Sequence, residues 1–134
     1  MAEQLAAGKL AFKPTDLLDY AFFDPDHTVR VPGRWAAPRR LLAAVSSTLP
    51  IELFWSRERA APCGAYSGLY FTLPHMSILL AQTRLAEAAE RGVRTLITDD
   101  PRVLYHLGRQ AERSHNSIKV MGLLELLAEQ LVES

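Results

Sequence analysis

Arg91-Gly92-Val93-Arg94-Thr95-Leu96-Ile97-Thr98-Asp99-Asp100-Pro101-Arg102 is the stretch on which the fold turns. Gly92 stands where a helix C-cap belongs, because glycine enters the left-handed region at little cost. Thr95-Leu96-Ile97-Thr98 is a short β-branched and apolar run bounded by polar residues, the pattern of a buried strand. Asp100 then offers a capping carboxylate and Pro101 fills the first helical position, where a missing N–H costs nothing. Helix, strand and helix therefore follow one another with almost no loop between them. Upstream, from about Pro74 to Arg91, Ile78, Ala81, Leu85, Ala88 and Ala89 recur at helical spacing. Downstream, the new helix runs through Leu104 and Leu107.

The same alternation extends to both ends of the chain. Tyr20-Ala21-Phe22-Phe23 reads as a buried strand that Asp24-Pro25 ends. Pro38 suits the first turn of a helix with Leu41, Leu42 and Val45 on its apolar face. Pro50 precedes a second strand candidate, Ile51 to Trp55, and Ala61 to Gly68 is rich in turn residues. Ile118 to Met121 supplies the last strand. Leu123, Leu124, Leu127, Ala128 and Leu131 line a final helix that keeps Glu125, Glu129 and Glu133 outside. Strands joined by helices of this length must run parallel. The reading predicts an α/β fold, with a four-stranded, mainly parallel sheet, helices on both faces and Rossmann-like three-layer packing. Residues 1–19 are a lead-in segment and 20–134 a single domain. Three polar loops, Asp24 to Arg30, Pro62 to Gly68 and Asp99 to Arg102, should meet at the carboxyl edge of the sheet, where sites in such folds gather.

Composition excludes several functions. Fifteen basic and fifteen acidic residues cancel among 134, so no global field favours nucleic acid or an anionic membrane. Apolar runs fall far short of the ~20 residues a spanning helix needs, and the start lacks a basic region followed by an apolar one. A soluble, cytoplasmic protein is expected. A single cysteine, Cys63, excludes an intramolecular disulfide and any site built from several thiolates of this sequence. Walker, dinucleotide-binding and nucleophile-elbow motifs are absent, and His75, His106 and His115 lack zinc-protease spacing.

Taken in order, the loops resemble the cysteine-rich CCG domain found in the B-type component of heterodisulfide reductase and its relatives, the iron–sulfur subunits of glycolate oxidase, lactate-utilisation and anaerobic glycerol-3-phosphate dehydrogenase systems. Phe23-Asp24-Pro25-Asp26-His27 with Arg30 matches the family's His-Asp-Pro-Cys-His segment and following Gly-Arg. Ala37-Pro38-Arg39 matches its Ala-Pro-Arg helix start, Pro62-Cys63-Gly64 its Cys-Cys-Gly loop, and Asp100-Pro101-Arg102-Val103 its Cys-Pro-x-Cys. The gaps of 35 residues between Asp26 and Pro62 and 36 between Cys63 and Asp100 also agree. The resemblance implies a redox subunit whose ligand cysteines correspond to Asp26, Pro62, Cys63, Asp100 and Val103. Four thiolates are then missing, and carboxylates, proline and valine do not replace soft ligands. No cluster is expected, and the protein should purify colourless.

Other chemistry remains open at these loops. Asp26, His27, Cys63 and Asp100 make a conceivable ligand set for one Zn or Fe ion, although Asp100 also suits an N-cap and Cys63 an inert buried thiol. Cys63 with His27 as base is the only thinkable nucleophilic pair, and the catalytic residues are otherwise unknown. Arg30 and Arg34, with Arg39, Arg40, Arg57 and Arg59, flank the first two loops as a rim for a small anion, or as a solvated face. Two functions follow. A cluster-free domain serves as a structural, interaction or regulatory module of an oxidoreductase system, with no catalysis of its own; alternatively, an accessory redox subunit keeps a mononuclear metal or anion site. Either has a protein partner, as a homodimer or with an oxidoreductase subunit, and neither calls for nucleic acid.

Overall fold

A computed structural model describes residues 19–25, 33–46, 48–53, 56–57, 60–65, 69–114 and 117–130, with the backbone alone at 69 and 70. In chain order the elements are β1 (Tyr20–Phe22), α1 (Ala36–Val45), α2 (Leu69–Thr72), α3 (Pro74–Glu90), β2 (Thr95–Thr98), α4 (Pro101–Arg113), β3 (Lys119–Gly122) and α5 (Leu123–Gln130). The strands form a three-stranded parallel sheet in the order β1-β2-β3. Tyr20 lies opposite Thr95, and Leu96 opposite Val120, so equivalent residues of neighbouring strands share a face.

The two-residue period of the strands sorts the core into two clusters. Ala21, Phe23 and Leu96 point to one side, where they meet Ala81, Leu85 and Ala88 of α3 and Val103, Leu107 and Ala111 of α4. Tyr20, Phe22 and Ile97 point to the other, against Leu41, Leu42 and Val45 of α1 and Leu123, Leu126 and Leu127 of α5. A one-residue slip of β2 would exchange Leu96 and Ile97 between clusters, so burial on both faces holds the register.

The stretch from Gly92 to Pro101 folds as its residues suggest. Gly92 takes φ +79°, the N–H of Val93 donates to the Ala88 carbonyl at 3.0 Å, and that of Gly92 to Ala89 at 3.1 Å. This is a Schellman cap, closed by burial of Val93 in the cluster that holds Ala88. At the other end of β2, the Asp100 carboxylate accepts the N–H groups of Arg102 at 2.9 Å and Val103 at 3.2 Å. Asp100 is an N-cap in fact.

The fourth strand is a correction. Residues 51–53 form no strand, and 54–55 lie outside the described residues. Ile51 donates its N–H to the Tyr20 carbonyl at 2.8 Å, and Ile51 and Leu53 both face the first cluster, the alternation of an extended segment beside β1. Among the described residues no second ladder bond follows. Pro50 has no N–H to give. Beyond the segment, Arg57 at φ +56° donates its N–H to Asp24, which draws the chain across the end of β1. Two smaller differences concern β3, which sits one residue later than expected, and α2, which the sequence did not announce. No helix among the described residues is long and apolar enough to cross a membrane.

Candidate functional site

Where β1 ends, Phe23 still donates its N–H to the Ile97 carbonyl, and the chain then turns at Asp24 and Pro25. The Asp24 side chain is 1% exposed and would be an isolated buried charge without partners. Arg39, on α1, supplies them. Its Nη1 and Nη2 donate to the two Asp24 oxygens at 2.7 Å each. Its Nε and Nη2 donate to the two Glu52 oxygens at 2.8 and 2.9 Å, and Nη1 also reaches the Trp35 carbonyl at 2.9 Å. The planar guanidinium fork suits two bidentate carboxylates, which lysine would not. Its carbon lies 5.6 Å from the Phe22 ring centroid and 5.7 Å from that of Trp35, while Arg57 covers Trp35 at 4.8 Å.

The electrostatics of this network are internally closed. Burial pushes the Glu52 carboxyl up, but hydrogen bonding and charge from Arg39, with the charge of Arg57, more than offset it and hold Glu52 below the usual glutamate value. For Arg39, burial disfavours the charged form, and the hydrogen bonds and charges of Asp24 and Glu52 outweigh it, so the guanidinium stays charged. Of the arginine rim drawn from the sequence, Arg39 already holds two carboxylates of its own chain. Arg57 stands 3.4 Å from Glu52, Arg34 is exposed, and Arg30 and Arg59 lie outside the described residues.

The second loop is locked to the two helices on the first face of the sheet. Gly64 adopts φ +88°, and a Cβ there would meet the Ser77 carbonyl oxygen at 2.6 Å. The loop backbone thus lies directly on the first turns of α3, an approach that only glycine permits. Ser77 Oγ donates to the Gly64 carbonyl at 2.7 Å. His106, on α4, completes the seam, with Nε2 at 3.1 Å from the Ser77 carbonyl oxygen and 3.3 Å from Ser77 Oγ. Ser77 and His106 are both buried, at 0% and 5% exposure. Beside this seam opens a cleft of ≈540 Å³, lined by Ala65 of the second loop, Pro101 and Arg102 of the third, and Phe71, Tyr105 and His106. The second and third loops therefore meet, as the topology required.

The expected ligand positions separate as follows. Asp26 and His27 lie outside the described residues, so their meeting with Cys63 or Asp100 is not described. Cys63 is 3% exposed and packs in the same apolar cluster as Phe23 and Val103. Val103 is itself buried, Pro62 is exposed, and Asp100 caps α4. Among the described residues no group of three His, Cys, Asp or Glu is placed to hold a metal. With one thiol, two carboxylates, a proline and a valine, the five positions that the resemblance assigns do not fit an iron–sulfur cluster.

Sequence reasoning missed Ser77, Phe71, Tyr105 and the pairing of Arg39 with Glu52. His106 was judged by spacing to other histidines, whereas the useful signal was its place on the apolar stripe of Val103, Leu107, Gln110 and Ala111, all buried with it. A polar side chain on such a stripe must find a buried partner. Trp35 is half-buried between two arginines, and Trp55 and Tyr66 lie outside the described residues.

No family model matches the chain, and no solved structure matches it significantly. A curated protein does: the chain is 25% identical over 131 residues to the D-type component of the dihydromethanophenazine:CoB–CoM heterodisulfide reductase of Methanosarcina barkeri (strain Fusaro / DSM 804). The alignment takes in 98% of this chain and 32% of the relative, so the chain spans about a third of the protein it matches. The similarity falls on the D-type component, where the motifs pointed to the B type and its relatives, and it supports a distant relationship to heterodisulfide reductase subunits.

Proposed function

We propose that this chain is a cluster-free relative of the cysteine-rich domain of heterodisulfide reductases, retained as an interaction module of an oxidoreductase system. The observation that carries the reading is the structural employment of the ligand positions. Cys63 and Val103 are packed in the core, and Asp100 caps α4 by accepting two of its backbone N–H groups. Residues that still served a cluster would face one another across a crevice and carry soft donors. Similarity to one component of a reductase supports a protein partner. On this reading residues 20–134 act as one unit in a cytoplasmic setting.

Affinity purification of the full chain from its native cells, under anaerobic conditions, tests the proposal. A colourless complex with an oxidoreductase subunit in equal amount is expected. A chain without any stoichiometric partner, or a brown chain carrying iron and acid-labile sulfide, would overturn it.

A further inference from the structure

We infer that the outward face of α4 docks an acidic, apolar-anchored segment of a partner protein. This deepens the interaction-module reading and rests on it for the existence of a partner. Arg102, Tyr105, Arg109 and Arg113 follow at spacings of three, four and four residues. At ~100° per residue they occupy about 80° of the helix circumference, a single stripe. Tyr105 stands at one edge of it, 62% exposed, and lines both the cleft of ≈540 Å³ that it shares with Phe71 and Arg102 and a second of ≈520 Å³ that it shares with Arg109 and Arg113. Both volumes lie in the range of ligand-binding clefts, roughly 300–1,000 Å³.

The stripe is built and charged in a way that specifies its occupant. Arg109 Nη1 donates to the Tyr105 hydroxyl at 2.6 Å, and its guanidinium carbon lies 5.9 Å from the ring centroid, so the ring is braced at its exposed site. Phe71, 86% exposed, offers a second aromatic surface in the first cleft. Among the described residues that line the two clefts Glu112 is the one carboxylate, and no carboxylate among the described residues pairs with Arg109 or Arg113. Tyrosine and arginine are the residues that most often anchor protein interfaces, and a basic stripe selects an acidic complement. Nucleic acid is the weaker candidate, because a chain of zero net charge provides no long-range field toward phosphates.

The test is selection of phage-displayed random dodecapeptides against the full chain, followed by fluorescence anisotropy with the enriched peptides and with labelled oligothymidylate. Enriched peptides should be net acidic and carry an aromatic or aliphatic residue. Their binding should weaken about tenfold or more in Arg102→Glu/Arg109→Glu/Arg113→Glu and in Tyr105→Ala, both melting like the wild type. Failure to enrich, peptides without negative charge, unchanged binding in both variants, or tighter binding of the oligothymidylate overturns the inference. Each of these results leaves the iron content and the native partner of the chain as separate measurements, so the docking face can fail while the module reading stands.

Discussion

Arg39→Ala should be the most damaging surface-to-core substitution in this protein, and its cost follows from what it leaves behind. It removes four charged hydrogen bonds to Asp24 and Glu52 and one to the Trp35 carbonyl. Glu52, 32% exposed at its side chain, turns to water. Asp24, at 1%, keeps only the Arg57 N–H among the described residues. Removing one partner of a buried ion pair costs about 3–5 kcal/mol, mainly as the burden of the remaining charge. At about 3–5 °C per kcal/mol for a domain of this length, the melting temperature should fall by about 10–25 °C. Urea denaturation of Arg39→Ala, Asp24→Ala and the double variant measures it. The double variant should lose clearly less than the two single losses added together, with a coupling of about 2 kcal/mol or more. A loss below about 1 kcal/mol for Arg39→Ala, with additive behaviour in the double variant, would refute the reasoning, because an exposed pair behaves that way.

Three further outcomes are expected. Glu52 titrates below the ordinary glutamate value in the folded state, so its contribution is present above the unfolded value and is lost as pH falls through the folded one. The urea midpoint should therefore drop below about pH 4.5, less steeply in Glu52→Gln, and a wild-type to variant difference constant across that range would contradict it. Gly64→Ala, at φ +88° and against the Ser77 backbone, should cost about 2 kcal/mol or more, whereas Gly92→Ala, at φ +79° in open space, should cost about 1 kcal/mol. Equal losses in thermal melts would remove the argument that the second loop lies locked on α3. Asp100→Ala should cost about 1 kcal/mol and Asp100→Asn much less, since asparagine also caps; equal damage from both would mean that the carboxylate charge serves something other than capping.

Local chemistry made the centre of the fold legible. Gly92, the run from Thr95 to Thr98, and Asp100-Pro101 each carry a backbone constraint that acts within a few residues, and the structure follows them closely. Helix faces were equally readable, because Ala81, Leu85 and Ala88 fall on one side of α3 by periodicity alone. The strand expected from Ile51 failed because pairing is not local: it depends on where the following chain goes, and Arg57 is held by Asp24, 33 residues away in sequence. The site was less legible for the same reason. Arg39 looked like one of a solvated or anion-binding rim, and only the fold shows that its carboxylates come from the end of β1 and from Glu52. Ser77 and His106 meet across 29 residues, a distance over which no spacing rule operates.

The central claim is that Cys63, Val103 and Asp100, three of the five positions that the resemblance assigns to cluster ligands, serve packing and capping instead. Anaerobic incubation of the purified chain with ferrous iron, sulfide and thiol, followed by desalting and measurement of iron, acid-labile sulfide and visible absorption, tests it most directly. The account predicts a colourless protein with iron and sulfide far below one equivalent per chain. Stoichiometric iron and sulfide in a stable brown protein would contradict it.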